Sequence, residues 1–298
     1  GSRSQQTANQ FAASMEIEVA HGGYEDLVAD SSLDVIYIAT PHNLHYDHAI
    51  MALNAGKNVL IEKPLALNAA QAEHMISVAK TNNLFFCEAL WTYFLPKFDV
   101  IRQIVDAGIL GEIKSIYTDY GEFFTRDHRI FNAALAGGPL MDLGTYPVAL
   151  ITDLLGVPEE VAGFAQFDPS GVHGQLSVAM KHASESQSSL TTTLYGDTPT
   201  NAFILGTKAT IYFDTAFNLP GGFTLRSADG QHSLKYEEPK GGHFEGLHYE
   251  AAAVARAIAG GEKESLVRPL QSSLDMMKTH DKIRACTQID YIAAGLVE

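Results

Sequence analysis

One lysine stands at the end of an apolar, β-branched run in the first third of the chain. The run covers residues 59–61 (VLI), and Glu62, Lys63 and Pro64 follow it directly. Such a run predicts a buried parallel strand, and ligands bind at the carboxyl edge of open α/β sheets. Lys63 is therefore a candidate site residue, although a surface lysine in a strand-to-helix turn would show the same local pattern.

An aspartate and a tyrosine, Asp142 and Tyr146, offer partners for this lysine. They stand four residues apart, so on a helix they share a face. An ammonium beside a tyrosine lowers the phenol pKa toward neutrality, and an aspartate can orient the lysine or a substrate hydroxyl. Carbonyl and alcohol redox chemistry needs such a proton, while a nicotinamide carries the hydride. Without Lys63, a tyrosine packed between helix and sheet would be the simpler interpretation.

Three histidines, His42, His45 and His48, recur at every third position after Thr40 and Pro41. Zinc sites usually add a carboxylate or a cysteine in matching geometry, and none is indicated, so no metal is predicted. The Thr40-Pro41-His42 turn is instead expected at the carboxyl end of a strand, bordering a cofactor. His45 would begin the next helix, and His48 would lie on its surface.

Other polar and aromatic residues leave alternatives open. The only tryptophan, Trp91, is either a core residue or the wall of a pocket at a domain join. Residues 126–129 (RDHR) form either a solvated loop or a contact with a polyol substrate. His243 and His248 receive no role. The chain has no GxSxG motif, which disfavours hydrolase chemistry.

Alternating strands and helices in the first third predict an α/β fold with a Rossmann-type, doubly wound parallel sheet. The predicted strands are 17–20, 33–39, 58–61 and 84–87, and the predicted helices are 7–14, 24–29, 45–55 and 68–81, the last of them capped by Asn68.

The remaining two thirds predict an α+β domain with a large open, mostly antiparallel sheet. Its predicted strands are 113–124, 161–167, 176–181, 189–195, 202–205, 210–213 and 222–226. Its predicted helices are 96–107, one that opens at 137–139 and kinks or restarts at Pro147, 249–259 and 269–286. We place the join near residues 88–92, which gives predicted domains 1–89 and 90–298.

A nucleotide-binding sheet of this kind normally opens with a strand, a glycine-rich turn and a helix. No GxGxxG occurs in the 298 residues. By the size of a βαβ unit, about thirty residues would be absent upstream, so the first βα unit is expected to be missing. Either the chain is truncated or a further segment precedes its first residue.

Composition excludes several classes of partner. The net charge of −15 and pI near 5.1 disfavour nonspecific binding to nucleic acid or anionic membranes. No apolar run reaches transmembrane length. Cys87 and Cys286 lack zinc-finger or CxxC spacing, so we interpret them as reduced, buried thiols of a cytoplasmic protein.

Several of these motifs together resemble the Gfo/Idh/MocA oxidoreductases. They are Glu62-Lys63-Pro64, GGPLMDLGTYPV at 137–148, ATPH at 39–42 with His45, and DKIR at 281–284. The EALWT segment at 88–92 and the Asp142/Tyr146 pair are most similar to the dimeric dihydrodiol dehydrogenase branch, which also resembles NADP-dependent xylose dehydrogenases. The resemblance covers nearly the whole chain, apart from the missing glycine-rich loop.

The resemblance implies a nicotinamide-dependent enzyme in which Lys63, Asp142 and Tyr146 are catalytic. Tyr146 would be the general acid/base, and the Lys63–Pro64 bond would be cis. The implied cofactor-binding residues are Ser2, Arg3, Thr40, Pro41, His42, His45, Glu62, Lys63 and Trp91. The implied substrate-binding residues are Lys63, Trp91, Asp142 and Tyr146.

An arginine at position 3 matches the segment that receives the adenosine 2′-phosphate, which favours NADP over NAD. The expected function is therefore hydride transfer between NADP(H) and a sugar, polyol or vicinal diol, with a homodimer formed through the carboxyl-terminal sheet. The alternative is a truncated, catalytically inactive module that binds a ligand or dimerises.

Overall fold

The computed structural model describes residues 1–183, 185–291 and 295–296. It contains a three-stranded parallel sheet followed by an eight-stranded, mostly antiparallel sheet. The predicted fold class, α/β followed by α+β, is confirmed. The end of the predicted second domain, residues 292–294 and 297–298, lies outside the described residues.

The parallel sheet holds β2 (Asn58–Glu62) between β1 (Val35–Ile38) and β3 (Phe86–Ala89). The central residues of β2 are buried, because the strand has a neighbour on each side and apolar packing on each face. This explains the uninterrupted β-branched run before Lys63. The accompanying helices are α1 (Gln5–Ser14), α2 (Tyr24–Ala29), α3 (His45–Asn54) and α4 (Ala69–Thr81). Asn68 caps α4 as predicted, by accepting the Gln71 N–H at 2.8 Å.

The prediction of a strand at 17–20 is wrong. A strand needs a hydrogen-bonded neighbour, and in the described part of the chain β1 pairs with β2 alone. The segment is instead tied back to α1, because the Ile17 N–H donates to the Ala12 carbonyl at 2.8 Å and the Gln5 side chain donates to Ala20 at 2.9 Å. Ile17 and Val19 remain exposed.

The larger sheet has the strand order β11-β10-β9-β8-β4-β7-β6-β5. Among the described strands of this sheet, only β4 and β7 pair in parallel. Its strands are β4 (Ile113–Gly121), β5 (Glu160–Phe167), β6 (His173–Lys181), β7 (Gln187–Thr193), β8 (Ala202–Gly206), β9 (Ala209–Phe213), β10 (Phe223–Ser227) and β11 (Ser233–Tyr236). The edge strand β11 was not predicted, because its short, polar and exposed sequence carries no alternation.

Helices pack on one face of this sheet and leave the other face open. The helices that follow α4 are α5 (Pro96–Asp106), α6 (Pro139–Asp142), α7 (Thr145–Leu155), α8 (Leu247–Ala259) and α9 (Leu270–Thr287). Of these, α7 and α9 pack against each other and against the strands. Side chains on the strands therefore alternate between this core and the open face.

Asp142 and Tyr146 lie on two short helices and not on one. Proline lacks an N–H, so Pro147 cannot donate to the Leu143 carbonyl, which instead accepts the Tyr146 N–H at 3.3 Å. The chain restarts there as α7, and Asp142 ends α6. Of the two alternatives predicted at Pro147, a kink or a restart of the helix, the structure shows the restart.

Candidate active site

A short ion pair joins the two parts of the molecule. The Lys63 ammonium at the end of β2 lies 2.5 Å from Asp142 Oδ1 and 2.9 Å from the Asp142 carbonyl oxygen. Both side chains are largely buried. The structure thus brings together two residues that the sequence separates by 79 positions.

This pairing fixes the protonation of both partners. Burial alone would raise the pKa of Asp142, but the Lys63 ammonium and His42 hold it well below its usual range. Burial alone would lower the pKa of Lys63, but Asp142 and then Tyr146 raise it above its usual range. Both groups are therefore charged across the neutral pH range.

Tyr146 lies directly beside this pair. Its ring centroid is 5.1 Å from the Lys63 ammonium, and its hydroxyl accepts a hydrogen bond from the Trp91 indole N–H at 3.0 Å. A second tyrosine, Tyr120 of β4, packs against it with ring centroids 5.8 Å apart. Tyr120 was not among the predicted site residues, because nothing in its local sequence distinguishes it from a core tyrosine.

The predicted direction of the Tyr146 pKa is wrong. Lys63 and the Trp91 hydrogen bond do lower the pKa, as expected, but burial of the phenol outweighs them and raises it above its ordinary value. The hydroxyl is therefore protonated at neutral pH. A protonated phenol is suited to donate a proton to a developing alkoxide.

Two glycines shape the turn that leads to Asp142. A Cβ on Gly137 would lie 2.3 Å from the Ile130 carbonyl oxygen, and one on Gly138 would lie 2.4 Å from the ring of His173. Gly138 also has a backbone φ of +106°, a conformation that residues with a side chain rarely adopt. His173 completes the turn, because its Nε2 accepts the Leu140 N–H at 3.1 Å in the first turn of α6.

The predicted Thr40-Pro41-His42 turn follows β1 at the carboxyl edge of the parallel sheet. His45 is buried with its ring nitrogens 2.8 Å from the Pro64 carbonyl and 2.9 Å from the Thr40 carbonyl. It thus bridges this turn to the Lys63–Pro64 bond, which is cis as the resemblance implied. Burial lowers the pKa of His42 to about 3, so its ring is neutral, and lowers that of His45 to about 4, although the two carbonyl acceptors favour the charged form of His45.

His48 is not the plain surface residue that we predicted. Its Nδ1 lies 3.0 Å from Thr40 Oγ1, and its ring packs on Tyr24 at 4.6 Å. Because Thr40 belongs to the same turn as His42, His48 helps to hold that turn against α3.

Glu62 and a buried acid on α8 complete the carboxyl edge. Glu62 accepts the Lys63 N–H at 3.2 Å and a short hydrogen bond from the Tyr37 hydroxyl. Glu250 is buried, and within the described ranges its Oε2 has no hydrogen-bond partner. Burial, then Glu62 and Glu88, raise the pKa of Glu250 to about 9, so this carboxyl is protonated at neutral pH.

The remaining predicted residues lie at the periphery. Arg129 is 53% exposed in its side chain and reaches Asp142 Oδ2 at 3.5 Å. His243, to which we assigned no role, lies against Trp91, with ring centroids 5.5 Å apart. Ser2 and Arg3 precede α1 and form no hydrogen bond or ion pair with the Lys63 cluster in the described part; the Ser2 N–H donates to His21 at 3.0 Å.

The described residues offer neither a metal site nor a membrane-spanning helix. No group of three or more histidine, cysteine, aspartate or glutamate side chains there is arranged to hold a metal ion. No helix within the same ranges is long and apolar enough to cross a bilayer.

Comparison with known proteins places this geometry in a family. A model of the GFO/IDH/MocA oxidoreductase family, with an NAD-binding Rossmann fold, matches residues 1–89, and one of the GFO/IDH/MocA C-terminal domain matches residues 98–212. Trans-1,2-dihydrobenzene-1,2-diol dehydrogenase from Xenopus tropicalis is 33% identical over 277 residues, 91% of this chain and 83% of the relative. The chain belongs to the Gfo/Idh/MocA family. The human protein of the same name is 30% identical over 289 residues, 95% of this chain and 86% of its own.

Solved structures of Gfo/Idh/MocA-like oxidoreductases share the fold. An NAD-binding oxidoreductase from Klebsiella pneumoniae aligns with TM-score 0.85 and 22% identity over 96% of this chain and 86% of its own. A 3-ketoreductase from Actinomadura kijaniata, in complex with NADP and TDP-benzene, aligns with TM-score 0.82 and 22% identity over 96% of this chain and 87% of its own. Levoglucosan dehydrogenase, in complex with NADH and levoglucosan, aligns with TM-score 0.84 and 20% identity over 95% of this chain and 85% of its own. The chain is an oxidoreductase of a family whose first domain is an NAD(P)-binding Rossmann fold.

The protonated state of Glu250 predicts a pH-dependent stability. The pKa of Glu250 is about 9 in the folded protein, against an ordinary value of 4.5. Between these two pH values the folded protein therefore keeps a proton on Glu250 that the unfolded chain releases. The group therefore destabilises the folded state progressively as pH rises through this window. We expect Glu250→Gln to raise the free energy of unfolding at pH 7 by on the order of 2 kcal/mol, with little change at pH 4.5.

Urea unfolding at pH 4.5, 6 and 8 measures this difference, with Glu73→Gln on the exposed face of α4 as the control. An equal effect of Glu250→Gln at all three pH values would contradict the assignment of a buried, protonated acid.

Proposed function

We propose that this protein catalyses NADP(H)-dependent hydride transfer to or from a sugar, polyol or vicinal diol, with Tyr146 as the general acid/base. The observation that carries the proposal is the buried Tyr146, whose hydroxyl accepts the Trp91 indole N–H and whose ring centroid lies 5.1 Å from the Lys63 ammonium. Relatives that are 30–33% identical act on a dihydrodiol, and one structural neighbour binds levoglucosan, which supports a polyhydroxylated substrate.

The residues at the carboxyl edge of the parallel sheet fit the nicotinamide end of such a cofactor. Thr40, Pro41 and His42 follow β1, and Glu62 ends β2, so the carboxyl ends of two adjacent strands face the same region. His42 Nδ1 is buried without a hydrogen-bond partner among the described residues, as expected of a group that binds a ligand. The 298 residues contain no GxGxxG, so the fit concerns this end of the cofactor.

The cofactor, when bound, would supply or accept the hydride. Tyr146 would donate its hydroxyl proton to the substrate oxygen in reduction and accept a proton in oxidation. Lys63 would stabilise the tyrosinate and the developing alkoxide, and Asp142 would hold the ammonium in place. Trp91 and Asp142 would border the substrate, with Arg129 able to contact a further hydroxyl from the rim.

The raised pKa of Tyr146 determines how the two directions respond to pH. Reduction needs the protonated phenol, which persists through the neutral range, whereas oxidation needs tyrosinate and should accelerate as pH rises. His42 is neutral above its lowered pKa of about 3, so it adds no limb between about pH 5.5 and 8.5.

Replacing Tyr146 by phenylalanine tests the acid/base assignment. The ring and its packing stay, while the proton and the acceptor for Trp91 are lost. We expect kcat to fall by about 10²- to 10⁴-fold, with a much smaller change in KM. Steady-state kinetics with a dihydrodiol and with aldoses and NADP measure this.

Tyr120→Phe is the matched control, because it removes the hydroxyl of a buried tyrosine whose ring packs against Tyr146, and it should keep most of the activity. Full turnover by Tyr146→Phe would refute the assignment. Failure of the parent protein to bind NADP or NAD would instead favour the catalytically inactive module.

We further propose NADP as the preferred cofactor. Arg3 is exposed ahead of α1, where its guanidinium is free to pair with an adenosine 2′-phosphate. The structural neighbours bind NADP in one case and NADH in another, so the preference rests on this residue.

Arg3→Gln should separate the two cofactors. The KM for NADP should rise by about 10- to 100-fold, the effect of losing one charge-assisted pair, while the KM for NAD stays within about twofold. Separate titrations of NADP and NAD against parent and variant provide the measurement. A parent protein that prefers NAD would overturn the argument from Arg3.

We propose that the protein forms a homodimer through the open face of the eight-stranded sheet. Tyr117, Phe203 and Tyr212 lie in three adjacent strands, with ring centroids 4.6 Å and 6.1 Å apart. Tyr117 and Tyr212 are 47% and 44% exposed, and Phe164 on β5 is 86% exposed. A strip of exposed aromatic side chains on a sheet face is typical of an interface, and an identical face on a second copy complements it.

A charged residue in this strip should dissociate the dimer. We expect Phe203→Lys to raise the dimer dissociation constant by on the order of 100-fold, as for an interface hot spot. Sedimentation or light scattering over a concentration series measures it. Leu266→Lys is the control, since Leu266 is 82% exposed in the segment between α8 and α9. A monomeric parent protein, or an unaffected Phe203→Lys variant, would contradict the proposed interface.

We also infer a cytoplasmic location. Cys87 and Cys286 are free thiols, and Cys87 is buried. Free, unpaired cysteines are usual in reducing compartments, whereas secreted proteins tend to form disulfides.

A further inference from the structure

A buried ion-pair network lies behind the candidate active site. Its centre is Arg268, in the segment that leads into α9. The guanidinium Nε and Nη2 donate to Glu88 Oε2 at 3.2 Å and 3.1 Å, and Nη1 donates to both oxygens of Asp153 at 3.0 Å and 2.9 Å. The side chains of Arg268 and Glu88 are wholly inaccessible to solvent.

The Glu88 end of the network is tied to Lys63. Glu88 belongs to β3, and its Oε1 accepts the backbone N–H of Leu65 at 2.9 Å. Leu65 stands two residues after Lys63, so this bond fixes the turn that delivers the ammonium. The other oxygen of Glu88 also accepts the Ser273 hydroxyl at 2.6 Å, which leaves the carboxylate fully hydrogen-bonded.

The Asp153 end is tied to Tyr146. Both residues belong to α7 and are seven positions apart, which is two helical turns and the same face. Arg268 therefore spans from the helix that carries Tyr146 to the strand that precedes Trp91. At the site itself, the Trp91–Tyr146 hydrogen bond closes the same loop of contacts.

The chemistry of these contacts requires an arginine. Only a planar guanidinium can donate from three nitrogens to two carboxylates at once, whereas a lysine presents a single charged centre. Without that cation the wholly buried Glu88 carboxylate would be left as an uncompensated charge. The network therefore sets where β3 and α7 stand relative to each other.

We propose that Arg268 is a positioning residue for the oxidoreductase site, and that it holds Lys63 and Trp91 at their working distance from Tyr146 through Glu88 and Asp153. This inference rests on the proposed function for its catalytic consequence. Its geometric content, the placement of Trp91 against Tyr146, does not depend on which substrate the protein uses.

The test compares Arg268→Lys, Arg268→Met and Asp153→Asn in the purified protein. Because a displacement of about 1 Å at reacting groups costs about 100-fold, we expect kcat to fall by about that factor in the arginine variants while the KM values change much less. The alkaline limb of the pH profile for oxidation should also shift, because Lys63 no longer stands at a fixed distance from Tyr146.

Trp91 provides a readout that a purely structural role would not move. It is the only tryptophan, so all tryptophan fluorescence of the protein comes from Trp91. Loosening its hydrogen bond to Tyr146 should shift the emission to longer wavelength and increase quenching by acrylamide. Where Arg268→Met does not fold, Asp153→Asn removes the negative charge on the α7 side of the network alone and carries the same expectation.

Lys57→Met is the matched control. Lys57 is another buried cation, donating to the Asp30 and Leu33 carbonyls at the amino end of β2, the end opposite Lys63. It should lower the melting temperature without changing kcat or the Trp91 emission.

Lower melting temperatures for Arg268→Lys and Asp153→Asn, with kcat and emission both unchanged, would overturn the proposal. If the parent protein shows no oxidoreductase activity, the proposed function fails and the emission alone decides: a shift supports the positioning role, and an unchanged spectrum refutes it.

Discussion

The ion pair between Lys63 and Asp142 is the interaction on which the rest of the site depends. It joins the end of a parallel strand to the end of a helix that belongs to the other sheet. Removing two charges from water costs several kcal/mol each, so such a pair survives only with short contacts and further hydrogen bonds. The structure provides these through the Asp142 carbonyl and Arg129. Losing either partner would leave an uncompensated charge, at a cost of about 3–5 kcal/mol.

Burial then separates the titrating groups around this pair into fixed states. Desolvation lowers the pKa of His42 and of His45, although the carbonyl oxygens around His45 favour its charged form. Tyr146 keeps its proton because desolvation outweighs the nearby ammonium. At neutral pH the Lys63 ammonium is therefore the cation beside a protonated phenol, which is the arrangement that reduction of a carbonyl requires. Oxidation must draw on the small tyrosinate fraction.

Much of this arrangement could be predicted from local sequence. The β-branched run before Lys63 indicated a buried strand, and Asn68 and Gly138 marked helix starts whose geometry the structure confirms. Predictions failed where a neighbour decides the outcome. Residues 17–20 have the residue types of a strand but no strand to pair with in the described structure. The pKa of Tyr146 is raised by burial, and the sequence shows the nearby lysine but not the extent of that burial.

The Arg268 network shows most clearly why the rest could not be predicted. Its two ion pairs join residues 180 and 115 positions apart, and no periodic pattern encodes such a distance. One local signal did exist, since Glu88 interrupts the otherwise apolar segment FFCEAL, and a carboxylate in a buried strand needs a cation. The sequence thus indicates that Glu88 needs a cationic partner but does not identify which residue supplies it. Only the packing of α9 behind both β3 and α7 selects Arg268. The same packing brings Arg268, Glu88 and Asp153 together from three separate parts of the chain.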